Sequence, residues 1–477
     1  MEAATAVVPA PRHAPLFKGD GGFLGSAREF QGDPIRTFFK AYDACGDVAR
    51  IEMPVAPYIV HILNHPDHLR RVLVDNQKAY GKGSRGYQRL RETLGNGLVT
   101  SDGDFWKRQR RIANPAFHHE RIAHFSETMV RCAEETADGW VELVASGEPV
   151  DISREMMRLT LRVIGLTMLS TEVASAASVV GVALDDLLRV TIHRIKDIIV
   201  APLAIPTPGN RRFLRARAAL DQVVNGIIAE RRRAGEGGKG AGDGAGPGAG
   251  KHDLLEMLMA ARDPETGEGM TDVQLRDEAM TIFTAGHETT ANAMSWTLYL
   301  LSLHPGTERL LREEIARVVG DRPPRLEDLP KLVLVDRVIK ESMRLFPPVW
   351  GLERSVLEDD VVGGFEIPKG SWVFMSPYRI HRDARFWENP EGFDPDRFTP
   401  EAEAARHKGA YAPFSLGPRK CIGESFAMLE ARLLLTTLLR RARLELVPGK
   451  KVVPEPTVTL RPKDGLWMRV RPPAAAV

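Results

Sequence analysis

The 477-residue chain predicts a mainly α-helical fold with small β-sheets. Thr271 to Leu303 contains no proline and would form a helix of about 50 Å, long enough to cross a whole domain. Phe426, Leu429, Leu433, Leu434 and Leu438 have the spacing of a buried helix from Ile422 to about Arg440, directly after a loop punctuated by glycine and proline. Strand-like pieces near 48–63 and 361–376, with Gly363-Gly364 and Pro368-Lys369-Gly370 turns, supply the sheets.

The composition, 43% apolar and 27% charged, is that of a globular protein with a sizeable core. A net charge of +2 gives no global reason to expect nucleic acid, so any electrostatic partner must meet a local patch. Length alone suggests two or three domains; the reading adopted is an extended lead-in over 1–26 and a single domain over 27–477. Cys45, Cys132 and Cys421 stand at unrelated spacings, which fits neither a disulfide framework nor a zinc site and points to a reducing cytoplasm. The N-terminus holds no apolar run of membrane-spanning length and no signal-peptide core, so no membrane anchor is expected.

In chain order, Val48–Met53 and Tyr58–Leu63 read as strands joined across Pro54–Pro57. Pro66 and Asp67 start a helix through about Asn76. Gly81 to Gly103 reads as an irregular loop around a short helix, and Asp104 opens the next helix. Helical patterns fill Ile122 to about Leu169 and then 172–200. Pro202, Pro206 and Pro208 interrupt the chain before a charged helix from Arg211 to Arg233. Nine of the sixteen residues from Gly235 to Gly250 are glycine, which places a flexible surface linker at 234–252. Thr271 and Gln274 form a capping-box signal for the long helix. Val333 to Leu345 is a helix stopped by Pro347-Pro348, and Pro456–Leu460 with Leu466–Val470 reads as a last hairpin. No internal repeat is visible.

Three stretches carry chemistry. In Phe414-Ser415-Leu416-Gly417-Pro418-Arg419-Lys420-Cys421-Ile422-Gly423, the cysteine stands where a tight loop enters a helix. Unpaired amides and the positive end of the helix dipole stabilise a thiolate there. A lone cysteine is usually an inert buried hydrophobe, but this composition and order reverse that expectation. In Ala285-Gly286-His287-Glu288-Thr289-Thr290, Gly286 would cost about 1 kcal/mol against alanine as a mere blemish, whereas small residues there leave room for a ligand against the helix. A threonine hydroxyl that bonds back to a carbonyl can open a groove there. Trp106-Lys107-Arg108-Gln109-Arg110-Arg111 crowds positive charge, and Trp106 and Arg110 share one helical face.

The loop resembles the haem-binding loop of the cytochrome P450 superfamily at each defining position: Phe414, Gly417, Arg419, Cys421 and Gly423. Ala285–Thr290 resembles the family's oxygen-binding segment, and Glu341 with Arg344 its Glu-x-x-Arg pair. Phe393–Phe398 resembles the segment that adds Arg397 as a third member, with Asp396 where the family more often has Glu. The resemblance spans roughly residues 40–470 and implies the P450 fold, with haem b between the long helix and the cysteine loop.

It also implies roles. Cys421 would be the axial iron ligand, and Glu288 and Thr289 would manage the protons of oxygen cleavage. Trp106, Arg110 and Arg354 would meet the haem propionates, and Arg419 another anionic edge. Ala285, Gly286, Phe414 and Gly423 would contact the cofactor, while Glu341, Arg344 and Arg397 would brace the scaffold. Ile282, Phe283, Ala285, Val349, Leu352, Val458 and the 83–99 loop would line a pocket for a lipophilic substrate, whether fatty acid, terpenoid, steroid or polyketide.

The reaction so implied inserts one atom of O2 into a C–H bond or alkene. The chain ends about fifty residues past Cys421, too few for a flavin reductase domain. A separate ferredoxin or flavodoxin with its reductase is therefore expected to deliver electrons, docking on Lys107, Arg108, Arg111 and Lys420 of a monomer. Two other functions compete: a haem-thiolate enzyme that uses or rearranges a peroxide, and a non-catalytic haem gas sensor. The Glu288-Thr289 pair argues against the first, and the lack of an output domain against the second.

Overall fold

The computed structural model describes residues 11–20, 25–52, 59–170, 177–197, 200–237 and 253–473. They group into two compact units, one of residues 1–84, 351–390 and 407–420, the other of 85–350, 391–406 and 421–477. The Pro54–Pro57 connection and most of the expected glycine linker lie outside the described residues.

The first unit is built on a five-stranded sheet in the order Val48–Glu52, Ile59–Leu63, Trp372–Met375, Leu352–Val356, Tyr80–Gly81. All its pairings are antiparallel except Ile59–Leu63 with Trp372–Met375. Ala49, Ile62, Leu63, Val373 and Met375 are buried along it, as strands of a covered sheet require. Of the expected lead-in, the stretch around Pro15–Phe17 is pinned along the first strand: Phe17 donates to the Arg50 carbonyl and Arg50 to that of Pro15, at 2.8 Å each, and Gly25 already opens a helix through Gly32. The helix expected from Pro66 to Asn76 forms as Pro66–Arg70 and widens into a π-turn over Arg71–Asp75.

The second unit is helical. Asp272–Leu303 is the long helix, 32 residues and so about 48 Å, opened by the Thr271–Gln274 capping box. Leu275, Met280, Phe283, Met294, Trp296, Leu298 and Leu301 bury it on nearly every side, as expected for a helix inside a core. Ile152–Leu169, Pro208–Gly237, Val333–Leu345 and Glu424–Arg441 pack against it. Glu424–Arg441 begins two residues later than the sequence pattern suggested, with Gly423 as its cap.

The last hairpin is a correction. Pro454–Pro456 pairs with Leu460–Pro462, whereas Trp467–Arg471 pairs with Arg443–Leu446 and Pro149–Asp151 in a separate sheet. The reason is local. Thr457 reverses the chain by bonding the Thr459 carbonyl through both its amide (2.9 Å) and its hydroxyl (2.8 Å). Asp464 and Gly465, at φ 61° and 84°, then turn the chain away from that pair.

Glu341, Arg344 and Arg397 meet within this unit. Arg344 donates to both Glu341 oxygens at 2.7 and 2.8 Å and to the Gly392 carbonyl at 2.8 Å. The Asp394 amide (2.9 Å) and Arg397 (3.5 Å) also address Glu341. An ion pair this deeply buried is tolerable because further hydrogen bonds satisfy it.

Candidate active site

Cys421 and the middle of the long helix both belong to the second unit. The Cys421 thiol is exposed, just ahead of the Glu424–Arg441 helix. Arg110, on the Gly103–Ala113 helix, lies within electrostatic reach of that sulfur: burial pulls its guanidinium pKa below the ordinary value, partly offset by the Coulomb influence of Cys421. Among the described residues no carboxylate pairs with Arg110, although it is half-buried. Trp106, one turn earlier, is buried. A half-buried cation without an acid, beside a thiol, suits a ligand that brings its own carboxylate.

The motif on the long helix splits between two faces. Ala285 is exposed and Gly286 and Thr289 are half-buried, while the other residues from Glu278 to Leu298 are buried. Thr289 Oγ1 donates to the Ala285 carbonyl at 2.7 Å, one turn back. Gly286 turns elsewhere: a Cβ there would lie 3.1 Å from Ile164 Cδ1 of the Ile152–Leu169 helix. The same helix supplies Thr160, whose hydroxyl donates to the His287 carbonyl at 2.9 Å. The His287 ring is fully packed, and burial pushes its pKa down to about 4, so it stays neutral.

Glu288 is buried and accepts from the Thr459 hydroxyl at 2.8 Å, which in turn accepts from Asn292 at 3.0 Å. Thr459 stands in the turn tied to residues 348–350 through Leu460 N to Pro348 O (2.9 Å) and Trp350 Nε1 to Thr457 O (3.0 Å). Val349 and Val458, both half-buried, lie between those two bonds. Ile282 and Phe283 are buried on the long helix.

In the first unit, Leu352 and Arg354 are buried on one strand, and Arg354 donates to the Glu353 carbonyl at 2.7 Å. Phe414 and Arg419 are half-buried in the loop that leads to Cys421. Gly417, at φ 72°, is required there, because a Cβ would run into the Leu73 carbonyl.

Three of the four cations expected at a docking face are paired with acids of this same unit. Arg111 pairs with Asp263 (3.1 Å) and Glu265 (2.8 Å), and Arg108 with Glu268 (3.2 Å) and Asp263 (3.5 Å). Lys107 pairs with Asp104 at 2.7 Å. The 263–268 turn brings three acids against the helix, so Arg108 and Arg111 hold the protein's own loop.

Sequence reasoning missed Thr459, and it missed Glu430 on the Glu424–Arg441 helix. Glu430 is fully buried, and burial pushes its pKa up to about 8, with only the Thr290 hydroxyl to favour its charge. An acid nine positions after Cys421, inside an apolar helix run, was the available signal.

The sequence model of the Cytochrome P450 family matches residues 17–468. The chain belongs to that family. Cyclooctatin synthase of Streptomyces melanosporofaciens is 37% identical to it, over 96% of each chain. Cyclooctat-9-en-7-ol 5-monooxygenase of the same organism is 35% identical over 90% of this chain and 89% of the relative. Pentalenene oxygenase of Streptomyces avermitilis is 33% identical over 94% and 95%. This P450 is a monooxygenase whose cofactor is haem b. The thiol, the acid-free Arg110 and the open Ala285–Thr289 face are a donor set that fits that group. No helix among the described residues is long and apolar enough to cross a membrane.

Proposed function

We propose that this P450 oxidises a cyclic terpenoid, with electrons supplied by a separate ferredoxin or flavodoxin and its reductase. The three relatives named above support the substrate class, because each is a terpenoid-modifying P450. The observation that carries the site is the open Ala285–Thr289 face on an otherwise buried helix.

In this reading Cys421 would supply the thiolate that holds the haem iron. Arg110, Trp106, Arg354 and Arg419 would hold the propionate edge, and Ala285, Phe414 and Gly423 would bound the cofactor, while Gly286, also expected there, packs on Ile164 instead. When bound, thiolate-ligated haem activates O2, so that one atom enters the substrate and the other leaves as water. The protein's part is to place groups. Thr289 presents a hydroxyl held by the Ala285 carbonyl, where it orients a proton donor. Glu288, fixed by Thr459, is the nearest carboxyl in sequence to that hydroxyl and serves as the proton reserve. Ile282, Phe283, Val349, Leu352 and Val458 present apolar surface with few polar anchors, which suits a hydrocarbon skeleton. The enzyme is read as a cytoplasmic monomer.

The test is a Soret high-spin titration with cyclic sesquiterpenes and diterpenes, straight-chain fatty acids and steroids. Cyclic terpenoids should give the tightest complete shift, and product should require both carrier and reductase. A complete shift with fatty acids alone would overturn the substrate class. A Cys421→Ser protein that keeps the red-shifted carbonmonoxy band would overturn the ligand.

A further inference from the structure

Arg276, Asp277 and Glu278 are three consecutive charged residues in the early turns of the long helix, and Arg276 and Glu278 are buried. Burying such side chains is costly unless they are hydrogen-bonded. Burial pushes the Glu278 carboxyl up to about 8, toward its neutral form, and each of the three side chains finds a different backbone group of one loop. Arg276 donates to the Leu94 carbonyl at 3.3 Å. Asp277 accepts from the Asn96 amide at 2.7 Å, and Glu278 from the Leu98 amide at 3.0 Å. Alternate residues of the loop, 94, 96 and 98, are thus held by successive residues of the helix.

The fit is close. A Cβ at Gly95, at φ 80°, would run into the Asp277 carboxylate, and one at Gly97 into the Thr281 hydroxyl. Arg276 also pairs with Asp277 at 2.7 Å and with Asp221 of the Pro208–Gly237 helix, so the loop is tied indirectly to that helix too. Apolar packing could hold a loop here without burying charge. Three directional bonds to alternate backbone groups instead specify one register of it.

We propose that Arg276, Asp277 and Glu278 are positioning residues, a three-point clamp that holds the 94–98 loop on the long helix and limits the passage of bulky lipophilic ligands. The inference rests on the reading that the 83–99 loop borders the substrate space. From Glu278 to Ala285 the helix advances seven residues, about 10 Å, so the clamp lies within one large ligand of the open face.

Amide hydrogen exchange and ligand release, both in the haem-loaded protein, separate the two halves of the proposal. Asp277→Ala should speed exchange at Asn96, and Glu278→Ala at Leu98, by at least tenfold. Glu278→Gln keeps an acceptor oxygen and should leave Leu98 protected. In the alanine variants a triphenylmethyl-substituted imidazole should leave at least tenfold faster, while plain imidazole leaves at its native rate. Gly97→Ala keeps all three side chains but drives a methyl into Thr281. It should give the same pair of effects and keeps the test open if an alanine at 277 or 278 fails to fold. Unchanged exchange overturns the clamp. Faster exchange with unchanged release of the bulky probe overturns the gating and the placement of the 83–99 loop, while the monooxygenase assignment stands. Equal acceleration of both probes means general loosening and overturns the proposal.

Discussion

Ala285 to Thr290 is one unbroken motif in the sequence but two opposed surfaces in the fold. Ala285 and Thr289 form the open surface, joined by the bond from hydroxyl to carbonyl. Gly286, His287, Glu288 and Thr290 face three different neighbours: Ile164 and Thr160, the Thr459 turn, and Glu430. At about 100° per residue a helix cannot show six consecutive side chains to one ligand. Most of the motif therefore sets where the helix lies, and two residues meet what lies against it. Each variant below tests which surface a residue belongs to.

Thr289→Val carries the largest expected effect. It removes the hydroxyl while nearly keeping the volume, so haem content and terpenoid affinity should stay native. Loss of a placed proton-transfer group costs about 10² or more in rate. Product per electron pair should collapse, with hydrogen peroxide appearing in its place. Native coupling on a tight-binding substrate would move Thr289 to the packing surface.

Glu430→Gln is next, and its effect depends on pH. Burial raises the Glu430 pKa to about 8, well above the ordinary carboxyl value of 4.5. Between those values the folded protein holds a proton that the unfolded chain releases. Its contribution to native stability should therefore fall as pH rises from 5 to 8, by at most about 1.4 kcal/mol per unit, and level off above. The thiol of Cys132, itself pushed up to about 11 chiefly by burial, is the other titratable group beside it. The Gln variant should lose this contribution and keep the one from Glu278, which burial also raises to about 8, so its slope should be shallower than the native one. Parallel melting curves for the two proteins across that range would show that Glu430 is not buried as a neutral acid against Thr290.

Local and periodic signals made much of this legible beforehand. The capping box at Thr271, the proline-free run behind it and the order of motifs along the chain all follow from neighbours in sequence. The charge on the Gly103–Ala113 helix did not. Arg108, Arg110 and Arg111 look alike as a basic run, yet two are neutralised by acids more than 150 residues away, while Arg110 meets none. Compensation of charge is a tertiary property that a run of residues does not record. The last hairpin failed for a related reason, because strands pair by register and not by proximity along the chain. Gly286 reads in the sequence as room for a ligand, whereas in the fold the space lies against Ile164, a neighbour 122 positions earlier.

Gly286→Val therefore puts the division to a steric test. Its Cβ would press on Ile164 Cδ1 at 3.1 Å, and its branches would press further. Overpacking of this kind costs about 1–3 kcal/mol. Ile164→Ala in the same chain should recover part of it, a coupling that a double-mutant cycle reads directly. If Gly286 instead served the open face, the valine would shift the haem spectrum and leave the melting temperature alone.

The smallest effect is expected at Thr459, and it bears on the most ambiguous member of the motif. Glu288 is buried and reaches Thr459, yet in sequence it adjoins the hydroxyl at Thr289. Thr459→Val removes the donor to Glu288 and the acceptor for Asn292 while keeping the shape of the turn. One lost buried hydrogen bond is worth about 1 kcal/mol, and the orphaned Asn292 amide adds a similar amount. The urea midpoint should fall accordingly. The carboxyl of Glu288 would keep its place on the helix and lose only its tether, so coupled product should drop less than fivefold. A loss of coupling as deep as that of Thr289→Val, with the urea midpoint unchanged, would mean that Thr459 and Glu288 act together in proton delivery. The open surface would then extend through Glu288 to the turn, and the two-surface division of the motif would fail at that residue.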